Sequence, residues 1–167
     1  MTLVPDPATP GLWLDPDWQP GTPGTFAVVI GVSAYAHLDG GTAPATDHSA
    51  EPWIAEARRL GQLYVSALTA RRFFDWLASE YQYPTAPVAR CWLLLAPSNA
   101  ELAHDAELGA GAARPEIEQC SQALTAWYAT MRDLPRPARQ ASRAFFFFSG
   151  HGLQRRFGDQ LLLPCDY

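Results

Sequence analysis

Residues 143–152 read Arg-Ala-Phe-Phe-Phe-Phe-Ser-Gly-His-Gly. The apolar run Ala144–Phe148 has the length of a strand, and consecutive Phe residues put apolar side chains on both of its faces. It runs straight into Ser149-Gly150-His151-Gly152, a polar turn flanked by glycines. In open α/β sheets, chemistry collects at the carboxyl ends of strands. A His in that place can act as a general base, and the Gly152 amide, with no side chain beside it, can donate to a developing oxyanion. His151 and Gly152 are therefore the candidate site residues.

Upstream, the rest of the chain reads as strands alternating with helices. Phe26–Ile30 (FAVVI) ends in Gly31 and predicts a buried central strand. A loop rich in Gly, Thr and Pro follows from Tyr35 to about Pro52. Leu60, Leu63, Tyr64, Ala67, Phe74 and Leu77 then recur at helical steps and predict one apolar helix face, which Pro84 and Pro87 terminate. Cys91–Ala96 (CWLLLA) is a second strand. Ser98-Asn-Ala-Glu101 has the spacing of a capping box and starts a short helix. Pro115 suits the first turn of the next helix, whose expected buried stripe is Ile117, Cys120, Leu124, Trp127, Tyr128 and Met131. Beyond the SGHG turn, Gln160–Leu163 forms a last strand-like piece. This alternation predicts an α/β fold with a largely parallel sheet.

Residues 1–25 carry six of the 15 prolines. They predict an extended arm unable to hold a helix or a ladder, pinned to the domain by Trp13 and Trp18. The division is thus 1–25 as arm and 26–167 as folded domain. Over the 167 residues, 48% are hydrophobic and 17% charged, which suits one folded unit. The net charge of −5 argues against a nucleic-acid partner, which calls for a basic face. Arg132, Arg136, Arg139 and Arg143 read as solvated surface. The opening residues lack a basic start and apolar run, and no stretch approaches a membrane span, so no membrane partner and a cytoplasmic location are expected. Three Cys without a CxxC pair offer neither a disulfide framework nor a zinc spacing. His151, Asp159, Cys165 and Asp166 have no recognised metal spacing, and no metal or cofactor is expected. His37, His48 and His104 read as solvated. The G-x-S-x-G elbow of an esterase is absent.

Taken together, FAVVIGVSAYAHL, a helix with Leu63, Ser66, Ala70 and Phe73, RAFFFFSGHGLQ and LLLPCD resemble the caspase-like cysteine peptidases, closest to their bacterial, metacaspase-like members. The resemblance spans roughly Phe26 to Tyr167. It implies a three-layer α/β sandwich with a mostly parallel central sheet, and a peptidase working through a Cys/His dyad. His151 takes the place of the dyad His, and Gly152 takes the place of the oxyanion-hole amide that follows it. The resemblance also places the nucleophile after a fourth strand, roughly 50 residues past the His, whereas this sequence ends 16 residues after His151.

Cys165 falls in the variable place of the Leu-Pro-x-Asp segment and not in the nucleophile's. Thr69 stands where metacaspases carry an acid, and no Arg lies between Gly31 and Glu56 to read an acidic substrate residue. Gln154-Arg155-Arg156-Phe157 replaces the acid-rich loop of many relatives. The expectation is the amino-terminal, His-bearing part of a caspase-like endopeptidase, truncated after the His-bearing strand and inactive alone. The alternative is a non-catalytic pseudo-peptidase that acts as a protein-interaction module. The partners implied are a protein or peptide substrate, and a complementing chain or self-association through the open edge of the third strand.

Overall fold

The computed structural model describes residues 3–44 and 60–167, except for the side chain of Arg155. It is a mixed α/β fold. In chain order the elements are β1 (Val4–Pro5), β2 (Leu12–Leu14), β3 (Thr25–Val32), α1 (Ser66–Ser79), β4 (Val88–Ala96), α2 (Asn99–His104), α3 (Ile117–Arg132), α4 (Arg136–Ala141), β5 (Arg143–Ser149), β6 (Gly152–Arg156) and β7 (Asp159–Leu162). Five strands form one sheet in the order β1-β2-β4-β3-β5, and β6 and β7 form a separate hairpin.

The parallel core of the sheet is β4-β3-β5, with Val28 opposite Trp92 on one side and Phe146 on the other. Every residue of β3 is buried because helices cover both of its faces. Ala27 and Val29 pack with Ala67, Ala70 and Phe74 of α1. Val28, Ile30 and Val32 pack with Ala123 of α3 and with Leu163 and Cys165. Close seating of α1 depends on Gly31, where a Cβ would stand 2.6 Å from the Ala70 Cβ.

Residues 3–24 run as two short strands joined by turns, so the segment does hold a ladder. β2 pairs antiparallel with β4, and β1 pairs with β2. Proline excludes a strand only where its missing N–H is needed. Leu12–Leu14 contains none, and Pro5 sits on the outermost strand, where a donor is dispensable. Both tryptophans anchor the segment. The Trp13 indole N–H donates to the Gly111 carbonyl at 2.9 Å and its ring lies on Phe74, while Trp18 meets Phe26 edge-on.

Two helices differ from their apolar patterns. The stripe beginning at Leu60 overshoots, since α1 starts only at Ser66. The Ser33 hydroxyl sets that start by accepting the Ser66 and Ala67 N–H groups at 3.0 Å each. Leu60 and Leu63 reach the core from irregular chain, and Tyr64 is exposed. In α3, Ile117 and Tyr128 are exposed and Ala123 is the buried contact, because a small residue lets the helix lie close to the sheet. Pro115 precedes the Glu116 cap of α3 and does not enter its first turn. The capping box of α2 is present as the spacing predicts, with both reciprocal bonds between Ser98 and Glu101. The expected Tyr35–Pro52 loop lies partly outside the described residues, and His48 lies wholly outside them.

Among the described residues, β5 is the terminal strand of the sheet and pairs with β3 alone. Phe145 and Phe147 lie against Phe73 of α1, with Phe147 stacked at 4.4 Å between ring centroids. On the opposite face Phe146 is 46% exposed. It borders an apolar groove of about 310 Å³ shared with Ile117, Leu124, Phe148 and Leu162.

Candidate functional site

The two polar strand ends have different roles. At the end of β3, Ser33 is fully buried, and its hydroxyl donates to Glu101 at 3.0 Å while capping α1. The Glu101 carboxylate also accepts the Leu68 N–H and both the N–H and hydroxyl of Ser98. Each acceptor is used in holding three segments together, so this network is structural.

At the end of β5 the arrangement is open. The His151 imidazole is half-buried, and its Nε2–H donates to the Gly61 carbonyl at 2.8 Å. A carbonyl can only accept, so this bond places the proton on Nε2 and leaves the lone pair on Nδ1. Among the described residues, no hydrogen bond engages Nδ1. The His151 backbone N–H donates to the buried phenol oxygen of Tyr35 at 2.6 Å. The Tyr35 ring also lies against the imidazole, with centroids 5.0 Å apart. Burial pushes the Tyr35 phenol up to about 12, with the His151 N–H bond pulling the other way.

Gly152 is exposed and pairs with Leu162 across the hairpin. The flanking bond runs from Leu163 N–H to the His151 carbonyl at 3.0 Å. That makes Gly152–Leu162 a wide, non-hydrogen-bonded pair, in which the Gly152 amide points away from β7. Among the described residues, His151 and Gly152 thus present a free ring nitrogen and an uncommitted amide, two groups that acyl chemistry can use.

Three residues outside the expected set build this geometry. Gln62 pairs with both backbone groups of Tyr35: its Oε1 accepts the Tyr35 N–H at 2.7 Å and its Nε2 donates to the Tyr35 carbonyl at 3.0 Å. The same Nε2 donates to the Asp39 carbonyl at 3.0 Å. Gly61, Gln62 and Tyr35 were hidden because the apolar periodicity assigned 60–64 to a helix and Tyr35 to a loop. The available signal was a lone Gln between Gly61 and Leu63, inside an otherwise apolar stripe.

Burial raises the thiol of each of the three cysteines. Cys91 lies in the middle of β4 and burial pushes its thiol up strongly. Cys120 packs from α3 against the core that holds Val28, Ile30 and Val32. Cys165 is fully buried, its N–H bonded to Pro115 and its carbonyl to Ala36, and burial pushes its thiol up despite Arg114, whose Nη2 donates to Sγ at 3.8 Å. Among the described residues, no three His, Cys, Asp or Glu side chains are grouped as metal ligands. His37 Nδ1–H donates to the Pro44 carbonyl at 2.7 Å, and His104 is exposed at the end of α2. The four arginines expected on the surface are exposed, with Arg132 paired to Asp133 and Arg143 bonded to the Tyr83 hydroxyl.

Next to Tyr35 and Gln62, at the carboxyl ends of β3 and β4, lies a cleft of about 450 Å³. Tyr64, Ser98, Asn99 and Arg114 complete its walls. No helix among the described residues is long and apolar enough to cross a membrane. No family model matches the chain, and no curated protein or solved structure matches it.

Proposed function

We propose that the chain is the His-bearing part of a caspase-like cysteine endopeptidase. One observation carries this reading: His151 stands at the carboxyl end of a parallel strand with Nε2–H committed to Gly61 and Nδ1 uncommitted, beside an outward-facing Gly152 amide. Nδ1 removes the proton of a cysteine thiol supplied by another segment, and the thiolate sulfur attacks the peptide carbonyl. The Gly152 N–H donates to the oxyanion. The imidazolium then protonates the departing amine as the C–N bond breaks, which leaves a thioester for water to hydrolyse. The sheet order, with β3 between β4 and β5, suits the α/β sandwich that the resemblance implies. A cytoplasmic setting belongs to the same proposal, since it keeps the three free cysteines reduced.

A peptidyl acyloxymethyl ketone should leave the 167-residue chain unlabelled. The chain joined to the segment encoded after Tyr167, or to a co-expressed chain carrying an Asp-x-Cys strand, should gain label that His151→Ala removes. Label that persists in His151→Ala overturns the role of that residue. Labelling of the 167-residue chain itself, lost in both Cys165→Ala and His151→Ala, would show that the nucleophile lies within it.

A second reading, a non-catalytic interaction module, is favoured by the β5 edge. Its outer N–H and C=O groups run beside an exposed Phe146 with no charge between Ala144 and Phe148. Natural edges are normally blunted by charge, proline or a bulge, and this one offers an extended strand of a second chain a place to pair.

A further inference from the structure

We infer that Gln62 and Tyr35 are positioning residues that hold His151 at two points, fixing its proton on Nε2 and leaving Nδ1 bare. A free imidazole can carry its neutral proton on either nitrogen, and only the tautomer with a bare Nδ1 can take a proton there. The Gly61 carbonyl selects that tautomer by accepting from Nε2 at 2.8 Å. Whatever aims the Gly61 carbonyl therefore determines which nitrogen is basic.

Gly61 lies outside any helix or multi-residue strand, and among the described residues its one backbone pairing is a parallel bridge to Asp39 of the same chain. Its two flanks explain why it stays in place. Leu63 N–H donates to the Ser33 carbonyl at 2.8 Å. Gln62 extends this with its side chain, making the pair of bonds to Tyr35 that a neighbouring strand would make, plus the bond to the Asp39 carbonyl. A primary amide is suited to this place because it accepts and donates at once. A carboxylate of the same length keeps the acceptor for the Tyr35 N–H and loses both donated bonds.

Tyr35 closes the circuit. Its backbone is gripped by Gln62, and its phenol oxygen accepts the His151 backbone N–H at 2.6 Å. The residue is 1% exposed, so the ring is a fixed post that no water replaces. The imidazole is thus held at Nε2 through Gln62 and at its own backbone through Tyr35. These two supports start from the same residue at the exit of β3, so β3 and β5 are locked in register where the site sits. Among the described residues, neither Gln62 nor Tyr35 hydrogen-bonds to Nδ1, and their role is exerted through the backbone and Nε2 of His151.

The two supports separate experimentally. In ¹⁵N-histidine-labelled protein, with His151→Gln used for assignment, neutral His151 should show the proton on Nε2 with slowed exchange. In Gln62→Glu the Nε2–H should exchange about tenfold faster, the factor expected for losing an ordinary hydrogen bond. In Tyr35→Phe the Nε2–H should be unchanged while the His151 backbone amide exchanges faster by a similar factor. His37 and His104 signals should move in neither variant.

A wild-type His151 protonated on Nδ1 overturns the inference, as does a folded Gln62→Glu with unaltered Nε2–H exchange. If Gln62→Glu loses its near-ultraviolet circular dichroism, the wild-type proton position and Tyr35→Phe decide. The term positioning rests on the peptidase reading, but the measurement does not. A failed labelling experiment would leave the Nε2 proton in place, and the exchange of that proton is read in the 167-residue chain without any label.

Discussion

Replacing Tyr35 by Phe removes a single oxygen whose two effects on stability oppose each other at different pH. At neutral pH the oxygen accepts the His151 N–H at 2.6 Å inside the fold. Without it, a sheltered donor is left unsatisfied, which costs about 1–3 kcal/mol. At high pH the same phenol becomes a liability. Burial raises it from 10.0 to about 12 in the fold. The unfolded chain releases this proton above pH 10, whereas the folded chain keeps it until about pH 12. Across that window the unfolded state binds fewer protons, so stability falls as pH rises. The loss reaches about 1.4 kcal/mol at pH 11 and approaches about 3 kcal/mol above pH 12.

Tyr35→Phe lacks this term, while the other five tyrosines are common to both proteins and cancel. Urea unfolding followed by tryptophan fluorescence at pH 7, 9 and 11 should therefore show the wild type more stable at pH 7 and 9. The gap should narrow by about 1.4 kcal/mol at pH 11. A gap that stays constant from pH 9 to pH 11 would refute the claim that the Tyr35 phenol is buried against His151.

Glu101→Gln puts an amide N–H₂ among donors that point at a carboxylate, so we expect about 2–3 kcal/mol of destabilisation in the same denaturation assay. An unchanged midpoint would mean that the Ser33–Glu101–Ser98 network does not hold the strand ends. The chain should self-associate through β5, with a light-scattering mass that rises above 18.3 kDa with concentration and returns toward it in Phe146→Glu. A wild-type monomer at high concentration counts against an open edge that takes a partner. Thiol titration should find no fast cysteine in the folded protein. Burial pushes Cys120 up to about 11, so its modification should climb with pH throughout the range from 8 to 10, while Cys91 and Cys165 react only on unfolding. Rapid modification of Cys165 at pH 7 would reopen its candidacy as nucleophile.

The local character of the main elements could be read directly from residues. FAVVI and CWLLLA are strands because apolar side chains on both faces demand cover on both faces, and the Ser98–Glu101 spacing closes its capping box through bonds only three residues apart. His151 and Gly152 could be singled out because glycines around a His at the end of an apolar run need no distant information to be noticed. Tertiary structure decided everything that depends on residues far apart in sequence. Leu12–Leu14 becomes a strand because β4 has a free edge, a fact invisible in the proline-rich composition around it. Leu60 and Leu63 satisfy a helical period yet lie outside the helix, because Ser33, over 30 residues earlier, caps α1 at Ser66. The basic nitrogen of His151 is set by a carbonyl 90 residues away, held by the side chain of Gln62. Periodicity reports which faces are apolar, whereas a hydrogen bond across 90 residues exists only once the sheet has brought its partners together.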